Sequence, residues 1–471
     1  MARVPDEAGE NSRWPELVSW LIEHQWLDGS WGSSIHYYHD RVLCTLAAII
    51  ALKEHGTDQE TTEAIERGER YIWHNLHRLR HDPFELVGFE LILPTLLVEA
   101  LGLGLDVPKH TCGYGRIRQE KLRLIPPELL YSPRVTTVHS LEFLGKDSDV
   151  KQMEQSLAIN GSLGNSPATT SYYLLRGGNS DQALAYLDGM LTHNQHVVSF
   201  YPLRTFELSW VLHSLSFSGE PLTNLVDTSI CETLLRDLEE EGAGFDPTFG
   251  IADGDTTSVT ALVLRLANYP VNPDILARFE NREKHVFRTY DYERNASITT
   301  NIHALEALSL LPDYPHKEES QNHILAFLMG SRTFDTYWVD KWHASPYYPT
   351  AHVLAGVSRA APRLLDECNR TIEWLIHTQR EDGSWGFFNQ GTAEETAYAL
   401  IALLHSNRYF PIDEDILHQG ATYLYKEMES AQDSYLYPAL WIDKSLYLPQ
   451  DIVKASILAV LILYEDTFGP L

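Results

Sequence analysis

The stretch "FGIADGDTTSVTALVLRLA", residues 249–267, holds the side chains of this chain best suited to chemistry. Asp253 and Asp255 flank a glycine, Thr256 and Thr257 follow, and an apolar helical run begins at once. One use of such residues is capping, because Asp or Thr ahead of a helix satisfies its unpaired N–H groups. The other is acid chemistry. Two carboxyls at i and i+2, held at a helix N-terminus among apolar residues, push one of the pair towards its neutral form. A neutral, buried carboxyl is a Brønsted acid with no water to compete for its proton.

The elements that must position this motif are helices. "RVLCTLAAIIALKEHG", "GFELILPTLLVEALGLG", "TAYALIALLHSN" and "DIVKASILAVLILYED" are apolar on most faces, as expected of helices buried on several sides. Alternating strand patterns are scarce. "WLIEHQWLDGSWG" from Trp20 and "WLIHTQREDGSWG" from Trp374 agree at nine of thirteen positions, so the chain carries two related helical units. Asp-Gly supplies turn chemistry in each copy, and Trp31 and Trp385 are large plugs whose indole N–H needs a partner. The motif 25–32 falls in a first unit, 1–190, and the motif 379–386 in a second, 191–471. The cut is set near Gly189–Val198, where the apolar pattern breaks.

A net charge of −29 argues against nucleic acid, which needs a basic face, and against attraction to anionic membranes. Cys44, Cys112, Cys231 and Cys368 are scattered, with no zinc or disulfide spacing, so a reducing cytoplasm is expected. The N-terminus lacks an apolar signal region, and the most apolar runs are too short to span a bilayer.

Taken together, these segments resemble the class II diterpene cyclases, helical proteins of two domains. Their hallmark is Asp-x-Asp-Asp, or Asp-x-Asp-Thr-Thr in a bacterial subset, matched here by residues 253–257. "HDRVLCTLAAIIAL", "VGFELILPTLL", "QEKLRLIPPELL", "TTVHSLEFL", "GSLGNSPATTSYYLL", "DKWHASPYY", "TQREDGSWGFF" and "LWIDKSLY" follow the family's order along almost the whole chain. The resemblance implies two α/α-barrel domains with the active-site cavity at their interface. It implies protonation-initiated bicyclisation of geranylgeranyl diphosphate, with the diphosphate retained.

By the same resemblance, Asp255 protonates the terminal alkene. Asp253, Thr256 and Thr257 orient it, and Asn301, one turn after Ser297 in "ASITTNIHAL", lies against the acid. Lys121 and Lys341 face the diphosphate, where lysine can neutralise charge without ionising the C–O bond. Magnesium is implied, held loosely by an acidic stretch whose nearest counterparts are Asp82 and Glu85. His139 matches the base of many plant members, which pairs with an Asn through water. Ser199 stands where that Asn is expected, a departure that favours late quenching and a rearranged halimane or clerodane skeleton. Carbocations need π-faces, and Trp338, Trp342, Tyr347, Tyr348, Phe200, Phe206 and Trp210 lie near the motifs.

No two aspartates are adjacent anywhere, so the Asp-Asp-x-x-Asp metal motif of ionising synthases is absent. A downstream class I synthase or a phosphatase would then consume the product. Members usually carry a Tyr-Asp-Thr-Ala-Trp segment ahead of the stretch matching "ARVPDE". Here either the recorded start lies late or the second unit lacks one helix. The competing expectations are a drimenyl-type cyclase acting on farnesyl diphosphate, an unrearranged copalyl product, and a non-catalytic helical toroid that binds proteins.

Overall fold

The computed structural model describes all of residues 1–471 except 57, 80–85, 195–199, 292, 431–436 and 471. The fold is all-α. The strands among the described residues are two residues long, such as β1 (Glu280–Asn281) and β2 (Val286–Phe287), which pair antiparallel.

The chain forms two compact units. One comprises 1–202 with 248–251 and 442–447, the other 203–247, 252–441 and 448–471. The units are thus discontinuous in sequence, where the pattern of apolar residues suggested a single cut at 190/191. A helix, Asp181–Asn194, runs through most of the stretch chosen for that cut.

In the first unit, helix α2 (Phe89–Gly102) packs on α1 (Tyr38–His55) and on the largely exposed α3 (Tyr114–Leu124), and α2 and α4 (Pro167–Leu175) pack on the segment 136–147. In the second, six helices close a ring. These are α5 (Arg204–Leu215), α6 (Gly254–Leu266), α7 (Ile298–Ser309), α8 (Tyr347–Ala360), α9 (Ala393–Ser406) and α10 (Gln450–Phe468). Each packs on the next, and α10 packs on α5. Amphipathic helices such as Lys317–Gly330 and Asn369–His377 cover them outside. This is the α/α-barrel, and it explains why α6, α7 and α9 are buried nearly all round.

The repeated motif is a joint between outer and inner helices. Trp31 Nε1 donates to Leu21 O and Trp385 Nε1 to Leu375 O, both at 2.7 Å. The backbone N–H of each Trp donates to a threonine of the next inner helix, Thr45 at 3.1 Å and Thr396 at 3.0 Å. Gly29 and Gly383 have φ of +89° and +86°, and a Cβ on either would lie 2.5 Å from a carbonyl oxygen, so only glycine fits. The structure reveals further copies. Trp338 repeats both bonds, its indole N–H donating to Leu328 O at 2.7 Å and its backbone N–H to the Thr350 hydroxyl at 3.1 Å. Leu163 and Ala243 make the backbone bond alone, with Thr170 and Thr257, both at 2.9 Å. Replacement of the Trp hides these copies from a sequence search. Trp338, read as a possible cation stabiliser, is one of the structural plugs.

Candidate active site

The motif at 253–257 begins α6. Asp253 is extended and caps the helix by accepting the Thr256 N–H at 2.7 Å. Gly254 is required because a Cβ would lie 2.0 Å from Arg288 O. Its own N–H donates to Thr289 O at 2.9 Å. Thr257 is the joint threonine of this repeat. Its hydroxyl donates to Asp253 O at 2.6 Å and accepts the Ala243 N–H. The Thr256 hydroxyl is buried without a partner. Neither threonine hydroxyl is bonded to Asp255, so both support the acid through the backbone that carries it.

Burial pushes the Asp253 carboxyl up to about 8, with Asp255 adding to the shift. Its Oδ2 is buried without a partner, as suits a protonated oxygen in an apolar setting. Asp255 keeps 8% of its side chain accessible, and its Oδ1 lies 2.6 Å from Nδ1 of His303, which is fully buried. His303 Nε2 is in turn 2.9 Å from Nδ1 of His352. The acid is therefore anchored on one oxygen by an imidazole.

Sequence reasoning placed Asn301 against the acid, and the structure gives it other partners. Its amide donates to Phe287 O at 3.0 Å and Ser297 O at 2.8 Å, while its oxygen accepts the Phe287 N–H at 2.8 Å. Asn301 thus pins β2 to α7. Ser297 caps α7 and, with Thr299 and the Ile298 N–H, surrounds Asp340. Asp340 is raised by its burial, with Asp255 adding to the shift. The residue that meets Asp255 is His303, two positions after Asn301. Nothing but a histidine in a buried helix marked it.

Aromatic side chains of the second unit pack against the histidines behind Asp255. Trp210 meets the His303 ring edge-on at 5.7 Å and donates its indole N–H to Tyr348 at 2.8 Å. Phe206 lies 4.4 Å from Trp210 and 5.7 Å from Trp441. Tyr347 does not join them; it is buried against Trp374, stacked at 4.9 Å. Successive residues of α8 face different ways, and Tyr348 is the one that turns inward. Lys341 is held by Glu293 at 2.6 Å and Asn295 O at 2.7 Å, and lies 5.1 Å from the ring centre of Trp342.

In the first unit, Lys121 is 42% exposed and paired with the buried Glu90 at 2.6 Å. His139 is bonded through Nδ1 to Gly164 O at 2.7 Å and through Nε2 to Asp443 at 3.2 Å. Burial alone would raise Asp443, but His139 and Lys444 together hold it below the ordinary carboxylate range. Lys444 is itself buried, donating to His139 O and Glu142, both at 2.7 Å. Phe200 packs edge-on to His139 at 5.8 Å. Asp443 and Lys444, at the far end of the sequence from His139, were not anticipated. Ser199, Asp82 and Glu85 lie outside the described residues.

One metal-capable cluster stands out among the described residues. His213, His303 and His352 each bring a ring nitrogen within 4.8 Å of the others. Four ring nitrogens of the trio are committed to Glu306, Asp255 and the His303–His352 bond. Imidazole also does not suit magnesium, which takes oxygen ligands. His303 and His352 are hydrogen-bonded to each other, His213 packs its ring against both, and the trio offers magnesium no site.

Residues 294–437 match the squalene-hopene cyclase C-terminal domain. A type B diterpene cyclase of Mycobacterium tuberculosis is 34% identical over 96% of this chain and 91% of its own. An ent-copalyl diphosphate synthase of a Streptomyces species is 31% identical over 95% and 88%. The solved ent-copalyl diphosphate synthase of Streptomyces platensis superposes with a TM-score of 0.79 at 27% identity, covering 98% of this chain and 94% of the other. No described helix is long and apolar enough to cross a membrane. With an α/α-barrel whose inner-helix terminus carries a buried carboxyl pair backed by histidine and aromatics, and with relatives aligned end to end, this chain belongs to the class II diterpene cyclases.

Proposed function

We propose that this enzyme cyclises geranylgeranyl diphosphate by protonating its terminal alkene, with Asp255 as the general acid, and releases a rearranged bicyclic diphosphate of halimane or clerodane skeleton. The observation that carries the acid assignment is the bond from His303 to Oδ1 of Asp255 at 2.6 Å. It fixes the carboxyl and leaves Oδ2 to hold the transferable proton. An alkene is a feeble base, so the acid must be preorganised and dry. Asp253, neutral near pH 7 by its raised position, keeps a second negative charge away from the carboxylate that proton transfer creates.

The aromatic faces of Trp210, Phe206, Tyr348 and Trp441 would stabilise the travelling cation. Both nitrogens of His139 are engaged, which disfavours early proton loss there and supports shifts before quenching. Lys121 and Lys341 would exchange their glutamate partners for the diphosphate. Magnesium, where it accompanies the substrate, would offset diphosphate charge. The unpaired state of all four cysteines supports a cytoplasmic setting. The absence of an Asp-Asp-x-x-Asp motif from the sequence supports consumption of the product by a separate class I synthase or phosphatase.

The test is product analysis. Purified protein is incubated separately with geranylgeranyl and farnesyl diphosphates, and half of each reaction is treated with phosphatase before gas chromatography–mass spectrometry. A C20 bicyclic alcohol seen only after phosphatase, with a migrated methyl group, is expected. An unmigrated skeleton would replace the product with a copalyl type, the product class named for the Streptomyces relatives. A C15 product would replace the substrate.

A further inference from the structure

A general acid that protonates an alkene ends each turnover as a carboxylate. A site dry enough to protect a carbocation also keeps solvent from restoring that proton directly. We propose that the proton returns to Asp255 from behind, through His303, His352 and His213, with solvent reached where Glu306 meets Arg359. This rests on the assignment of Asp255 as the acid.

The groups lie on three inner helices of the ring: His213 on α5, His303 and Glu306 on α7, His352 and Arg359 on α8. The inner segment is continuous: Asp255 to His303 at 2.6 Å, then His303 to His352 at 2.9 Å. The outer segment is continuous as well. His213 Nε2 lies 3.2 Å from Glu306 Oε2, and Arg359 donates to Glu306 Oε1 at 3.1 Å and to Ser216 O at 2.7 Å. His303, His213 and Glu306 are at most 2% accessible, whereas Arg359 is 29% accessible. The row therefore runs from the acid, through the core, to solvent.

The two segments meet at the three rings. The His213 and His352 ring centres are 5.2 Å apart. Nδ1 of His213 is buried and has no partner, and a ring nitrogen of His213 lies within 4.8 Å of one of His352, the gap that movement of the ring must close for the proton to pass. Histidine suits such a row because it can accept a proton on one nitrogen while releasing one from the other. Packing alone would be met by apolar side chains at lower desolvation cost. Burial lowers His213, and burial with the neighbouring His303 lowers His352 well below the ordinary range. Glu306 is buried too, yet His213 and Arg359 hold it down at about 2. His213 and His352 thus rest neutral, and the Glu306 carboxylate beside them stabilises a passing imidazolium.

The proton count closes. Nδ1 of His303 gives its proton to Oδ1 of the Asp255 carboxylate, a half-turn of the carboxyl carries it to the open position, and Nε2 of His303 takes a proton from Nδ1 of His352. His352 is replenished by the His213 imidazolium, and His213 by Glu306, which takes its proton from a hydronium or buffer acid at the Arg359 end; turns of the rings restore the starting tautomers. One proton enters here for each proton the cyclised cation loses, and nothing is oxidised or reduced.

The experiment is rapid-quench kinetics with geranylgeranyl diphosphate on the full chain and on Glu306→Gln, His352→Gln and Arg359→Gln. First turnovers within about threefold of the unmodified protein, followed by later turnovers slowed at least about tenfold, are expected. The burst should equal one product per enzyme, and the slow phase should carry an enlarged solvent deuterium effect. Equal losses in first and later turnovers would overturn the relay, as would unchanged steady-state rates. Arg359→Gln alters a partly exposed side chain, so a normal burst-free profile in that variant overturns the exit even if a core variant does not fold. Loss of the relay leaves the first turnover intact, whereas an Asp255→Asn protein that still makes product at the first turnover would instead remove the acid assignment.

Discussion

The N-termini of α6 and α9 are built on one plan, and only α6 carries the proposed acid. In each, a capping residue, Asp253 or Thr392, is followed two positions on by a buried carboxyl and four positions on by the joint threonine. Thr257 and Thr396 both donate to the cap carbonyl at 2.6 Å, and each takes a loop N–H at 2.9–3.0 Å. Each carboxyl has a histidine: His303 for Asp255 at 2.6 Å, His343 for Glu394 at 3.2 Å. The divergence lies in what else the carboxyl touches. Glu394 Oε1 also accepts from Trp441 at 2.7 Å and Tyr398 at 3.2 Å, and its side chain is wholly inaccessible. Asp255 is shorter, keeps an accessible edge and has a second carboxyl, Asp253, as its cap. Both carboxyls are held on one oxygen, but Oε2 of Glu394 is sealed in the core without a partner, whereas Asp255 keeps an edge that a substrate can reach.

The sharpest way to break the comparison is to exchange the two losses. Asp255→Asn should lower kcat by about 10³-fold or more, as expected for removal of a positioned acid, with little change in melting temperature. Glu394→Gln should do the reverse. It should keep kcat within about tenfold while losing about 1–3 kcal/mol of stability, the usual cost of disturbing a buried hydrogen-bonded group. Paired single-turnover assays and thermal melts decide it, and a Glu394→Gln protein as inactive as Asp255→Asn would erase the distinction.

Replacing the histidine partners is the next test. His303→Phe should reduce kcat by about 10²-fold with KM little changed, because the acid loses its anchor but not its substrate. His343→Phe should act on folding, read as a lower denaturation midpoint. Smaller still is the effect of the joint threonines. Thr257→Ala and Thr396→Ala should each cost about 1–2 kcal/mol, since each leaves a buried loop N–H unmade. Only the former should also lower activity, by shifting the backbone of Asp253.

The cap gives the finest distinction, in pH. The folded-state position of Asp253, about 8, lies above its ordinary 3.8. Its contribution to stability is therefore complete below about pH 4 and shrinks as pH rises, vanishing past about 8. Asp253→Asn should flatten the stability profile across that interval, measured by urea unfolding at several pH values. Thr392→Ala, which alters a hydroxyl cap, should lower stability equally at every pH.

Much of this was legible before any coordinates. The apolar runs of α1, α2, α9 and α10 announce helices buried on several sides. The Asp-Gly turns and Trp plugs announce repeated joints, and Asp253–Thr257 announces a capped terminus with two carboxyls. Less legible was the division of labour among similar residues. Thr257 reads as part of a catalytic signature, and only its partner across the loop identifies it as a joint shared with Thr45, Thr170 and Thr396. Asn301 reads as a neighbour of the acid and proves to be a clamp on β2, while Tyr347 and Tyr348 differ solely in which way α8 turns them.

Local pattern alone determined that this chain is helical, repeated and equipped with a carboxyl pair at a helix start. Those properties depend on residues close in sequence, through helical periodicity, turn chemistry and capping. The partners of the pair were decided by tertiary structure. His303, His352 and His213 come from three helices, and Asp443 reaches His139 from the opposite end of the chain. Hydrogen bonds among buried polar groups are set by which helix faces meet in a closed ring, and no spacing along the chain encodes that meeting.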